Sequence, residues 1–181
     1  MLNIIETIMD AMKSQSEQDK EQPLHVGEVM ACWTYLSGLE LAKVTVQAGL
    51  NTTTDDELLV MLEEDMKLGT SQREKLHDFL IKEGVTLPSA PEDVPKSDPK
   101  SIPLGVKMTD DVLANELSLK LVSLIMQAAG GACESIRTDV GLLFIQFQAE
   151  KLALATRLKH LMRKRGWIKV PPFYLPPGAE K

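Results

Sequence analysis

The sequence predicts an all-α fold, a bundle of four long helices. Three observations carry that expectation. All ten prolines fall at Pro23, between Pro88 and Pro103, or between Pro171 and Pro177. A proline inside a helix costs about 3 kcal/mol or more, so the two long proline-free stretches suit helical hairpins. Aromatic residues make up only 4% of the chain and strand-like alternation is scarce, which leaves sheet little support. Apolar residues recur instead at spacings of three and four, the period of one helix face.

Residues 1–14 open the chain as an extra amphipathic helix, with Leu2, Ile5, Ile8, Met9 and Met12 on one face, followed by a polar hinge to Gln22. Such an element either packs on its own bundle or is exchanged with a second subunit. Residues 1–22 therefore form an appendage and residues 23–181 the bundle with a proline-rich tail. The first bundle helix is expected from about Pro23 to Ala48, with Pro23 in its first turn. Its stripe reads Cys32, Tyr35, Leu39, Ala42, Val46. The second runs from about Asp55 to Glu83. Thr54 with Glu57 matches a capping box, Leu62, Met66, Gly69, Leu76 and Leu80 share a face, and Gly84 supplies a left-handed stop.

The third helix opens at Thr109-Asp-Asp and is expected to end near Ala129, before Gly130-Gly131. It is apolar nearly all round from Leu121, which implies burial on more than one side. The fourth spans about Asp139 to Arg165, with Leu143, Phe147, Leu154, Leu158 and Leu161 on one face and Gly166 as its stop. The two hairpins end alike, Leu76 to Gly84 and Leu158 to Gly166, each followed by an apolar residue and then proline. That likeness reflects either an internal two-fold repeat or common stop chemistry.

About 25 residues, with five prolines, join the second and third helices. Connections in compact domains are usually far shorter. A helix of about 28 residues is about 42 Å long, and 25 extended residues reach about 80 Å, so the segment can travel the whole bundle and make these two helices parallel. That long crossover is the mark of a ferritin-like bundle rather than an up-down-up-down one.

Lys and Arg number 20 against 26 Asp and Glu, a net charge of −6 and a pI of about 5.1. This balance disfavours nucleic acid, which needs clustered cations. The longest apolar run, Leu121 to Ala132, is shorter than the roughly 20 residues of a membrane span, so no membrane partner is expected. The N-terminus carries Glu6 and Asp10 and no early cation, unlike a secretory signal. Cys32 and Cys133 sit in apolar sequence and read as two reduced core thiols. Trp167 and the Pro171-Pro-Phe-Tyr174 run are expected to pin the tail along the bundle.

Several segments resemble an uncharacterised ferritin-like family of endospore-forming bacteria, related to spore coat protein F. They are Gly27-Glu-Val-Met-Ala-Cys-Trp33, Glu74-Lys-Leu, Lys82-Glu-Gly-Val-Thr-Leu-Pro88 and Lys164-Arg-Gly-Trp-Ile-Lys-Val-Pro-Pro172. The likeness covers about residues 24–175. It implies a ferritin-like bundle and a spore-coat-like role, in the cytoplasm or the spore, with other coat proteins as partners, and no defined activity.

Bundles of this class often hold two metal ions on a Glu from each of two helices and a Glu-x-x-His from each of the others. Glu74-Lys-Leu-His77 matches that string, and Glu28 falls on the apolar stripe, where a carboxylate is costly unless paired or coordinated. The fourth helix lacks its share: His160 is preceded by Arg157 at the needed offset, and Glu150 is followed by Ala153. A single zinc or iron ion on His25, Glu28, Glu74 and His77 remains one reading. The other is that Glu28 is paired near a helix end, with Glu74 solvated and His77 at a boundary. The sequence thus favours a non-catalytic structural or interaction protein without a cofactor, over a metal-binding or redox protein. The apolar surface of the third and N-terminal helices exceeds what one bundle needs, so a homodimer is expected.

Overall fold

The computed structural model describes residues 22–178, so the expected N-terminal helix lies outside the described residues. Within them the regular structure is four helices: α1 (Val26–Leu50), α2 (Asp56–Lys82), α3 (Asp110–Glu134) and α4 (Thr138–Arg165). The all-α expectation holds.

Local chemistry sets each boundary, in places differently from expectation. Pro23 precedes α1 rather than entering it, because His25 is the N-cap. Its ring Nδ1 accepts from the Gly27 N–H at 3.1 Å, while the Glu28 carboxylate accepts from the His25 N–H at 2.8 Å. This is a capping box with an imidazole in place of a hydroxyl. Asp55, not Thr54, caps α2, accepting from the N–H groups of Glu57 and Leu58, both at 3.0 Å. A carboxylate also complements the positive end of the helix dipole. The Thr109 hydroxyl caps α3 as expected, at 3.3 Å from the Val112 N–H.

α3 does not stop at Ala129 but runs through Gly130 and Gly131 to Glu134. Packing explains the second glycine: a Cβ at Gly131 would lie 2.7 Å from the ring of Phe144, which is fully buried and cannot retreat. Gly131→Ala should therefore lower stability by about 1–3 kcal/mol. Gly130→Ala meets nothing and should be neutral or slightly stabilising, a contrast that urea unfolding of the two variants would read.

The helix stops are one motif used twice. Gly84 (φ 74°) and Gly166 (φ 71°) take the left-handed conformation. The following N–H, of Val85 or Trp167, donates back to the carbonyl of Leu80 or Met162, each at 2.9 Å.

The helices bury two apolar clusters, one at each end. The first gathers the start of α1 (Cys32, Tyr35, Leu39), the end of α2 (Leu76, Leu80), the end of α3 (Leu124, Ala128) and the start of α4 (Phe144, Phe147). The second gathers the opposite ends, among them Val46, Leu58, Leu62, Leu117, Leu154 and Leu158. α2 and α3 are thus parallel, and residues 84–109 span the bundle as a strap. This is the expected ferritin-like crossover.

The strap lies along α1. Trp33 Nε1 donates to the Thr86 carbonyl (3.1 Å), Gln47 Oε1 accepts from the Val94 N–H (3.0 Å), and Asn51 Nδ2 donates to the Pro95 carbonyl (2.7 Å). An ion pair between Lys43 and Asp93 adds to these.

Two expectations need correction. Cys32 is buried, and burial first, with nearby Glu28 adding, pushes its thiol up to about 12, but Cys133 is exposed on the outer side of α3. Among the described residues the tail is tied as far as Lys169, with Trp167 packed on the core as expected, through Asn115 Nδ2 on the Trp167 carbonyl (3.1 Å) and Lys169 on Asp111 (2.8 Å). Phe173 and Tyr174 are exposed and pin nothing.

Candidate functional site

Glu28 is buried, as its place on the stripe implies, and its oxygens serve backbone groups. One accepts from the His25 N–H. The other accepts from the N–H groups of Ile136 (2.8 Å) and Arg137 (2.6 Å), in the turn between α3 and α4. A carboxylate on α1 thereby satisfies the orphan donors of another helix start. The structure brings His25 and Glu28 together and leaves Glu74 and His77 on the exposed face of α2, with the His77 ring 3.4 Å from Asp78. Among the described residues no group of three His, Cys, Asp or Glu side chains converges in a way that could hold a metal ion.

Beside Glu28 sits Arg137, whose side chain is buried. Its guanidinium donates to both oxygens of Glu83 (2.9 and 3.0 Å), to both of Asp139 (3.1 and 2.7 Å) and to the Gln22 carbonyl (3.1 Å). It also lies over the Phe79 ring at 5.7 Å. The Asp139 hydrogen bond, ahead of that of Glu83 and against the cost of burial, raises the Arg137 pKa. With Glu28, this clamp joins α1, the end of α2 and the α3–α4 turn at one end of the bundle.

Between the two apolar clusters lies a polar waist on either side of Gly69. On one side the Tyr35 hydroxyl donates to Gln72 Oε1 (3.2 Å), and Gln72 Nε2 donates to Glu150 (2.8 Å) and to the Phe147 carbonyl (3.3 Å). Burial, then Glu150 and Asp65, raises the Tyr35 pKa, so the phenol stays a donor. Its ring stacks on Phe147 and meets Phe144 edge-on.

On the other side Asp65 of α2, 2% exposed, is shared by two ammoniums. Lys151 of α4, 1% exposed, is 3.0 Å from Oδ1, and Lys120 of α3 bonds Oδ2. Burial alone would raise the Asp65 carboxyl, but the two lysines outweigh it and hold the group below the ordinary carboxylate range. Burial pushes Lys120 down against the pull of Asp65, and Lys151 adds to that push.

This donor set does not suit a divalent ion. A metal centre in such a bundle needs several carboxylates and imidazoles at one level. The Asp65 triad supplies one carboxylate and two cations, and a protonated ammonium has no lone pair to give. The cavity beside it is about 10 Å³, room for one water at most and none for a substrate.

A signal for this waist was present in the sequence. Asp65 and Gln72 continue the run Leu58, Leu62, Gly69, Leu76, Leu80, and Lys151 continues Val140, Phe144, Phe147, Leu154, Leu158, Leu161. A charged residue inside a three-four repeat marks a buried group with a partner.

Comparison with known proteins places the chain. Over 160 residues it is 28% identical to the uncharacterised protein YvdQ of Bacillus subtilis (strain 168), covering 88% of this chain and 94% of that one. It matches the crystal structure of a candidate spore coat protein of Bacillus halodurans C-125 with a TM-score of 0.84 and 29% identity, over 87% of this chain and 99% of that one. A two-domain protein of Anabaena variabilis, containing DJ-1/ThiJ/PfpI-like and ferritin-like domains, shares the fold at a TM-score of 0.61 and 16% identity, over 84% of this chain and 41% of that one. The family model of DUF3231, a protein of unknown function, matches residues 12–179, and the chain belongs to that family.

Proposed function

We propose that the chain is a non-catalytic structural protein that acts through its surface, in a spore-coat-like role. The observation that carries this reading is the waist, where the ferritin-like class builds metal centres and this chain places a lysine–aspartate–lysine cluster. The cluster brings one carboxylate and two ammoniums to the waist, a set that ties α2, α3 and α4 together and offers no acidic ligand cage. The spore-associated location is supported by the description of the Bacillus halodurans relative.

Metal analysis of protein purified without an affinity tag tests the reading, with no stoichiometric zinc or iron expected. Glu28→Gln should lower the unfolding midpoint, because the amide sets an N–H against the His25 N–H. The cost is about 1–3 kcal/mol, with metal content unchanged. One bound ion per chain, lost in Glu28→Gln and in His77→Gln alike, would instead support the single-ion reading on His25, Glu28, Glu74 and His77. For the location, the chain should enter the coat extract of purified spores, and its absence from spores would overturn the coat role.

A further inference from the structure

α3 carries two apolar stripes. One faces the core. The other, Leu119, Val122, Met126, Ala129 and Cys133, faces outward with the alternating three-four spacing of a coiled-coil seam, and exposed Ile136 follows in the turn beyond the helix end at Glu134. Leu119, Met126 and Ile136 are 66%, 68% and 68% exposed, and Val122 is 49% exposed. No charged residue occupies a position of the stripe, and the adjacent Lys120 turns inward to Asp65. Gly131 against Phe144 fixes the antiparallel register of α3 and α4, which sets exposed Ile145 and Leu152 of α4 alongside. Among the described residues this apolar face is two helices wide, an unusual feature on a chain of net charge −6 and of the kind that serves for interaction.

We propose that this face joins two copies of the chain, α3 packing antiparallel on α3 of a second copy about a two-fold axis near residues 127 and 128. In that register Val122 meets Cys133 and Met126 meets Ala129, each pair supplied twice by the symmetry, and Leu119 lies toward the turn that carries Ile136. Both helical pairs join seam positions, and the bulky Met126 falls on the small Ala129. The next register, one heptad away, would place Asn115 in the seam. Its amide is already engaged by the Trp167 carbonyl and Asp111, where the tail lies against α3. Charge agrees with the chosen register: Glu134 falls level with Leu121 of the second copy, not with another acid.

The paired helical length of about 14 residues is about 21 Å, and two helices side by side are about 20 Å wide. That footprint lies below the standard size of stable interfaces, in the range of weak and transient complexes, so a reversible dimer of micromolar affinity or weaker is expected. By length and composition α3 is also the only helix among the described residues that could cross a bilayer. A membrane surface is the weaker fit, because the lysine that the described residues place at the start of this face, Lys169, is engaged by Asp111 rather than free to meet anionic lipid. The dimer stands apart from the proposal of a metal-free interior, and either can fail without the other.

Sedimentation of the full chain between about 1 and 100 μM should show monomer passing to dimer. Met126→Glu, an exposed position that the fold tolerates, should weaken association at least ~10-fold. Val122→Cys adds a covalent readout with native Cys133. These positions are about 16 Å apart along one helix, beyond disulfide reach, so any bond between them joins two chains. Oxidised Val122→Cys should run as a dimer on a non-reducing gel, and Asn115→Cys should not.

Four results would overturn the proposal. The first is a monomer at every concentration. The second is a dimer indifferent to Met126→Glu and silent in the Val122→Cys test. The third is partition of the wild-type chain onto phosphatidylglycerol vesicles in place of dimerisation. The fourth is a monomer whose Cys133 resists a thiol reagent, which would show the stripe covered by the chain's own N-terminal segment.

Discussion

Asp65→Ala is expected to lose about 3–5 kcal/mol of stability, because it leaves two ammoniums buried without their shared partner. At about 2–4 °C per kcal/mol for a chain of this size, the midpoint should fall by about 6–20 °C. Calorimetry reads this directly. Replacing the whole cluster with Asp65→Leu, Lys120→Met and Lys151→Met should bring stability back to within a few kcal/mol of wild type, since apolar packing often matches a buried ion cluster.

The pH profile gives a second reading of the same group. A carboxyl whose folded pKa lies below its unfolded one contributes stability above the unfolded value, and loses it as pH falls through the folded value. Wild type should therefore weaken below about pH 4, and Asp65→Ala should lack that part of the acid dependence. Lys120 acts at the other limb. Its depressed pKa means that folding disfavours its charge, so its contribution improves as pH rises toward the ordinary lysine value of 10.5.

Arg137→Ala should cost about 3 kcal/mol, the lower end for a broken buried ion cluster, because Glu83 and Asp139 keep some contact with water. Arg137→Lys should recover less than half of the loss. A single ammonium cannot reach both carboxylates and the Gln22 carbonyl with the fixed fork of a guanidinium. Urea denaturation would measure both variants. Hydrogen exchange should leave the Ile136 N–H protected, since it is held by Glu28 and not by the arginine side chain.

What could be read in the sequence was what neighbouring residues decide. The Thr109 cap, the stops at Gly84 and Gly166 and the proline-rich crossover all follow from local backbone chemistry. Thr54 against Asp55 shows the limit of that reading, since either can cap and only the path of the entering chain selects one. The waist was harder because its bonds join distant positions: Asp65 meets Lys120 and Lys151 across separations of 55 and 86 residues. Glu28 announced itself as a buried carboxylate. Two of its three partners were hidden for a different reason, being main-chain N–H groups 108 and 109 residues away that an inventory of side chains does not contain. Gly130 and Gly131 look like a break in one dimension, and only the approach of Phe144 shows why the second must lack a side chain.

Beyond Leu87 the strap contributes no residue to either apolar cluster, and its polar ties reach α1. It therefore dictates wiring more than cohesion. A gene severed there would encode two helical hairpins, each with an open hydrophobic side shaped for the other. The covalent link between them serves to keep the halves at high mutual concentration while they find one another.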